Sequence, residues 1–131
     1  MTVDETIRQA MMDVPKAVAA GVVDMNSGMM LGMNTVDSHP QAVLDLLAPA
    51  TKEMFEGDMV LTIERLFKDA RGVQSDERYF QEILVSSKNL WHYFSRLSNN
   101  PGIVFAVISR ADVNLGLFVV KARGITERAS I

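Results

Sequence analysis

No cysteine occurs among the 131 residues. That absence removes disulfides, thiolate metal sites and thiol nucleophiles together, and it fits a reducing compartment. Cations are scarce as well, with thirteen Lys and Arg against sixteen Asp and Glu and a net charge of -3. Binding along a phosphate backbone draws on the opposite balance, so nucleic acid is not expected as the main partner. Long apolar runs are also missing. The charge-free stretch Met25–Val36, 12 residues long, holds asparagine, serine and two glycines, whereas a bilayer span takes about 20 apolar residues. The first ten residues, MTVDETIRQA, are acidic before they are basic and contain no apolar run, unlike a secretory leader. These absences predict a soluble, cytoplasmic chain with no membrane span. The length suits a single domain over residues 1–131, since domains cluster at about 100–150 residues.

Catalytic constellations are equally sparse. The two histidines, His39 and His92, have no ligand spacing between them and no H-E-x-x-H surrounds either. His39 reads as a residue at a helix start and His92 as a surface strand residue. Asp37-Ser38-His39 names the members of a serine triad, but consecutive side chains diverge and no G-x-S-x-G elbow is present. Neither G-x-x-x-x-G-K-[ST] nor G-x-G-x-x-G occurs, so no phosphate cradle is expected. Glu53, Glu56 and Asp58 read as solvated charges at a helix end rather than as a cation site. The expectation is a protein with no catalytic residue, no metal and no cofactor, and therefore not an enzyme.

What is present is an alternation of helices and strands. Val3, Ile7, Ala10, Met11 and Val14 share one helical face, with Thr2 placed to cap it and Pro15 to end it. Ala17–Val23 is apolar throughout, Asp24-Met25-Asn26-Ser27-Gly28 carries turn residues, and Met29–Met33 is apolar again, which predicts a hairpin. A strand with no polar face belongs inside a sheet covered on both sides. Gly21 and Gly32 mark places where a neighbour packs close to the backbone. Residues 38–71 carry two helical segments, the first capped by Ser38 or His39, striped by Val43, Leu46, Leu47, Ala50 and Met54, and kinked or ended early by Pro49. Met59, Ile63, Leu66, Phe67 and Ala70 stripe the second. The charged stretch Glu64–Arg78 predicts a solvated helix end and loop. Strands are expected over Tyr79–Ser86, Leu90–Leu97 and Ile103–Ile108, followed by a helix capped by Asp112, stopped at Gly124 and trailed by a frayed tail. Hairpins make neighbours antiparallel, so the fold class is α/β: five antiparallel strands with helices on both faces, an α/β/α sandwich.

Two compositional features bear on function. The chain has nine methionines, a deformable surface for a core or a binding site. Tyr79, Phe80, Trp91, Tyr93 and Phe94 cluster in neighbouring strands, more rings than one face can hide, which points to a protein interface. A rival reading makes the methionines and aromatics the lining of a small-molecule-sensing pocket.

The element order, with Ala19-Ala20-Gly21-Val22-Val23-Asp24 running through Ser27-Gly28-Met29-Met30-Leu31-Gly32 as a first hairpin and Val113-Asn114-Leu115-Gly116-Leu117 leading into a last helix, resembles the roadblock / dynein light chain family. The resemblance covers nearly the whole chain, although the long charged stretch Glu64–Arg78 and Pro49 depart from the family's compact central helix. It implies a roadblock fold, profilin-like and longin-like in its layers. It further implies a homodimer or close heterodimer in which the third strand pairs with its mate and the central helices pack together. That arrangement places Leu47, Met54, Met59, Ile63, Tyr79, Phe80, Ile83, Leu84 and Val85 at the interface. Service to a small Ras-like GTPase, as scaffold, regulator or activator, is the function the resemblance implies.

Overall fold

Thr2 opens the first helix, α1 (Val3–Asp13), in a computed structural model covering residues 1–131. Its hydroxyl accepts from the Glu5 N–H at 3.1 Å, while the Glu5 carboxylate accepts from the Thr2 N–H at 3.2 Å. This reciprocal pair satisfies donors that a helix start leaves free. The hairpin β1 (Ala17–Asp24) and β2 (Met29–Thr35) follows, turned by an Asp24 carboxylate that accepts from Asn26 N–H and Ser27 Oγ, with Gly28 at φ +73°. Helices α2 (Gln41–Glu56) and α3 (Asp58–Arg71) meet at Gly57, and β3 (Glu82–Ser86), β4 (Leu90–Leu97) and β5 (Asn100–Arg110) precede α4 (Leu115–Arg128). All neighbouring strands are antiparallel, in the order β2-β1-β5-β4-β3. Helices α1 and α4 cover one face; α2 lies on the other and is in contact with α3. The sandwich read from the sequence is the fold, and β3 is an edge strand.

Several local expectations are overturned. Neither Ser38 nor His39 caps α2, whose N-cap is Pro40 and which has no side-chain cap at all. Pro49 does not end that helix, because the one carbonyl it deprives of a donor belongs to exposed Asp45 and water can satisfy it. Asp112 does not cap α4, because Lys16 Nζ holds its carboxylate at 2.8 Å; Asn114 Oδ1 accepts from Leu117 N–H instead. Helix α4 continues through Gly124 because Ala122, Ile125 and Thr126 are buried on either side of it. The tail is pinned, since Asn99 and Asn100 donate to the carbonyls of Ala129 and Ile131. Finally, β3 begins at Glu82 rather than Tyr79, because Glu64 takes the Tyr79 N–H and Arg96 takes the Phe80 carbonyl.

The two faces are unequally filled. Fifteen buried residues form the core between the sheet and α1/α4, among them Ile7, Val22, Phe105 and Phe118; five form the core beneath α2. The register explains the difference. Across the α2 face runs a row Met30–Val23–Val104–Arg96, onto which Ala48 and Phe55 close. The next rows are Met33–Gly21–Ala106–Phe94–Ile83 and Thr35–Ala19–Ile108–His92–Val85. Gly21, Ala106 and Ala19 at their centre are small, so the N-terminal half of α2 stands off the sheet.

Candidate functional site

That stand-off is a cleft of about 760 Å³ between α2 and the sheet. Its floor is Ala19, Gly21, Ala106 and Ile108, its roof Val43, Leu44, Leu47 and Met54, and Met30, Met33, His92 and Phe94 fill its sides. A Cβ at Gly21 would meet Met30 Sδ and the Gly32 carbonyl at 3.4 Å and Met33 Cγ at 3.8 Å, ordinary van der Waals contacts rather than a clash. The close approach expected at Gly32 is real: a Cβ there would lie 2.7 Å from Val3 Cγ1 and 2.9 Å from Ile7 Cδ1, under α1. His92 is a half-buried cleft residue, not a surface one; burial pushes its imidazole below the ordinary value and keeps it neutral.

The second feature is apolar surface around the β3 edge. Leu84 and Val85 are exposed on opposite faces of that strand, and Ile83 is half-buried against Phe94. Met59, Ile63, Leu66 and Phe67 of α3 are exposed, and Phe67 stacks on Tyr79 with ring centres 5.9 Å apart. Phe80 is exposed beside them. Leu47 and Met54 face the cleft instead, so the nine residues nominated as an interface occupy two adjoining surfaces.

Buried charges lock this region in shape. Glu64, expected to be solvated, is 2% exposed. Burial pushes its carboxyl up, but the Tyr79 N–H at 2.9 Å, Arg78 at 2.9 Å and Lys68 at 3.3 Å together hold it below the ordinary value. It thereby clamps the segment before β3 to α3. Glu56, likewise expected in solvent, pairs at 2.9 Å with Arg96, which is 5% exposed. That pair is off hydrogen-bond alignment, while Arg96 Nε and Nη1 donate to the Phe80 and Pro101 carbonyls and the guanidinium lies over the Phe55 ring. Arg96 thus ties α2 to the approach to β3. At the start of β3, Arg123 grips Glu82 through two hydrogen bonds and lowers its pKa, and Tyr93 Oη donates to the same carboxylate at 2.7 Å. Burial pushes the Tyr93 phenol up to about 12. Sequence reasoning missed Glu64, Glu56 and Arg96 because, Lys68 apart, the groups that bind Glu64 and join Arg96 to Glu56 and Phe80 lie 14 or more residues away in the chain.

The rings divide as expected: Tyr93 lies edge-on to Phe118 and Trp91 packs against the same core, while Tyr79 and Phe80 stay outside. Asp37, Ser38 and His39 are all exposed and make no triad hydrogen bonds. No three His, Asp or Glu side chains converge as metal ligands would, and no helix is long and apolar enough to cross a membrane.

No family model matches the sequence, and no curated protein matches it. Solved structures do. A structure of MglB in a tetrameric arrangement superposes with a TM-score of 0.70 at 16% identity, over 95% of this chain and 82% of that one. The gliding protein MglB from Thermus thermophilus gives 0.68 at 16% identity, over 95% and 83%. A Roadblock/LC7 domain from Streptomyces avermitilis gives 0.65 at 13% identity, over 96% and 92%. The chain has the roadblock/LC7 fold.

Proposed function

We propose that this chain is a dimeric, non-enzymatic roadblock module that scaffolds or regulates a small Ras-like GTPase. The observation that carries the reading is the apolar surface running from α3 across Tyr79 and Phe80 to the bare edge of β3. An unpaired strand edge is a hazard that natural proteins blunt with charge, proline or a cover. Past Glu82, whose carboxylate is held by Arg123 and Tyr93, β3 carries none of these. A second copy related by a twofold axis pairs the edge and covers the apolar helices in one step. The roadblock fold, together with the sequence resemblance, supports the GTPase as partner. If hydrolysis is accelerated, the module acts by ordering the GTPase's own catalytic groups rather than by turning over a substrate itself.

Two measurements test this. Light scattering at tens of micromolar gives the mass of a dimer; a strict monomer overturns the interface. A binding screen against the small GTPases of the source organism, each loaded with GDP or a GTP analogue, yields at least one partner with a nucleotide-state preference. Uniform failure of that screen with a proven dimer removes the GTPase and leaves the dimer standing.

A further inference from the structure

The cleft beneath α2 is not needed for pairing at β3, and its shape and chemistry are those of a ligand site. We infer that it binds a single-chain amphipathic carboxylate, the class of free fatty acids, with the apolar tail inward and the carboxylate at Arg110. The volume of about 760 Å³ lies inside the range of roughly 300–1,000 Å³ typical of small-molecule pockets. The Val23, Met25 and Phe55 core closes its inner end. Met30, Met33 and Met54 line the walls, and thioether chains adapt to a flexible tail.

The mouth selects the head group. Arg110 follows Ile108 by two residues on β5 and pairs with Leu90, which puts it on the cleft face at the open end. Asp37 and Asp112 also stand there; Lys16 holds Asp112 at 2.8 Å, and Arg110, whose charge also acts on Asp112, makes no ion pair within 4 Å. Helix α2 begins at the same opening, with no side-chain cap and no acidic residue in its first turn. A carboxylate at this mouth meets an exposed guanidinium with no close ion pair and the positive end of a 16-residue helix.

The test uses the full chain with cis-parinaric acid as a fluorescent probe and palmitate as competitor. Saturable binding of one probe per chain, displaced by palmitate, is the expected result; no saturable binding overturns the proposal. Labelling the methionine methyls with carbon-13 locates the site without any substitution: palmitate shifts Met30, Met33 and Met54 and leaves exposed Met12 and Met59 in place. Equal shifts across all five place the ligand elsewhere and overturn it. Arg110→Gln weakens palmitate about tenfold, the loss of one charge-assisted contact, and leaves hexadecanol unchanged; an unchanged palmitate affinity overturns the head-group assignment. Ala106→Phe, which fills the floor, abolishes both. Sedimentation with phosphatidylserine vesicles in place of saturable binding assigns the mouth to a membrane surface and likewise overturns the proposal.

Discussion

Glu64 shows how a single carboxylate shapes the surface around it. A carboxylate this deeply buried is tolerable only because three donors surround it, and one of them, Tyr79 N–H, belongs to the segment that delivers the edge strand. Glu64→Gln keeps the shape and removes the charge, and the expected cost at pH 7 is about 2 kcal/mol, the scale of hydrogen bonds to a charged group. The pH dependence has a definite sign. The folded-state pKa lies below the ordinary 4.5, so the contribution is complete above that value and fades as the pH falls through the lower folded value. Urea unfolding of both proteins at pH 7 and again near pH 3 checks this: the gap narrows in acid, and a constant gap removes the charge from the explanation. Tyr93 supplies a second residue-scale test. Ultraviolet titration shows one of the two tyrosines ionising only at about pH 12, and Glu82→Gln brings it down, since the neighbouring carboxylate is part of what holds the proton on.

Two strand glycines separate the two layers of the sandwich at the scale of elements. Gly32 lies under α1, where a methyl group would press against Val3 and Ile7; Gly21 faces the cleft, where a methyl group finds ordinary contacts. Gly32→Ala therefore costs about 1–3 kcal/mol by overpacking. Gly21→Ala is neutral or stabilises by about 0.5 kcal/mol, because its backbone is not in the left-handed region and the unfolded chain loses freedom. Thermal unfolding of the pair decides whether the α1 side is tight and the α2 side loose. From sequence alone both glycines read as close approaches, and only the register tells them apart. The same limit explains what else was legible. The hairpin, the five strands and the start of α1 rest on residues within a few positions of one another, as in the capping box of Thr2 and Glu5. The cap of α4 does not: whether Asp112 or Asn114 serves depends on Lys16, 96 residues earlier. The burial of Glu64 and Arg96 depends on partners that reach them only after folding, and the cleft exists because Gly21 and Ala106 fall opposite each other.

The sheet of the whole molecule ends in two bare edges, and the proposed dimer must use one of them. β2 is interrupted by an irregularity in its pairing with β1 opposite Val22 and Val23, and Met29 and Leu31 are the exposed large apolar residues along it, with Val36 just past its end. β3 pairs regularly with β4 over all five residues and is entered through the exposed Tyr79 and Phe80, with Tyr79 stacked on exposed Phe67 of α3. Local bending discourages edge-to-edge pairing, and a continuous apolar surface rewards it. In the proposed dimer, pairing is therefore assigned to β3. Leu84→Asp sets a carboxylate against a symmetry-related carboxylate near the twofold axis, where two desolvated like charges cost several kcal/mol, and the expected product is a folded monomer. Met29→Asp on β2 leaves the dimer intact. Sedimentation velocity across a hundredfold range of concentration, with circular dichroism to verify folding, separates the outcomes. A dimer that survives Leu84→Asp but falls apart with Met29→Asp moves the interface to the opposite edge and detaches the apolar face of α3 from self-association.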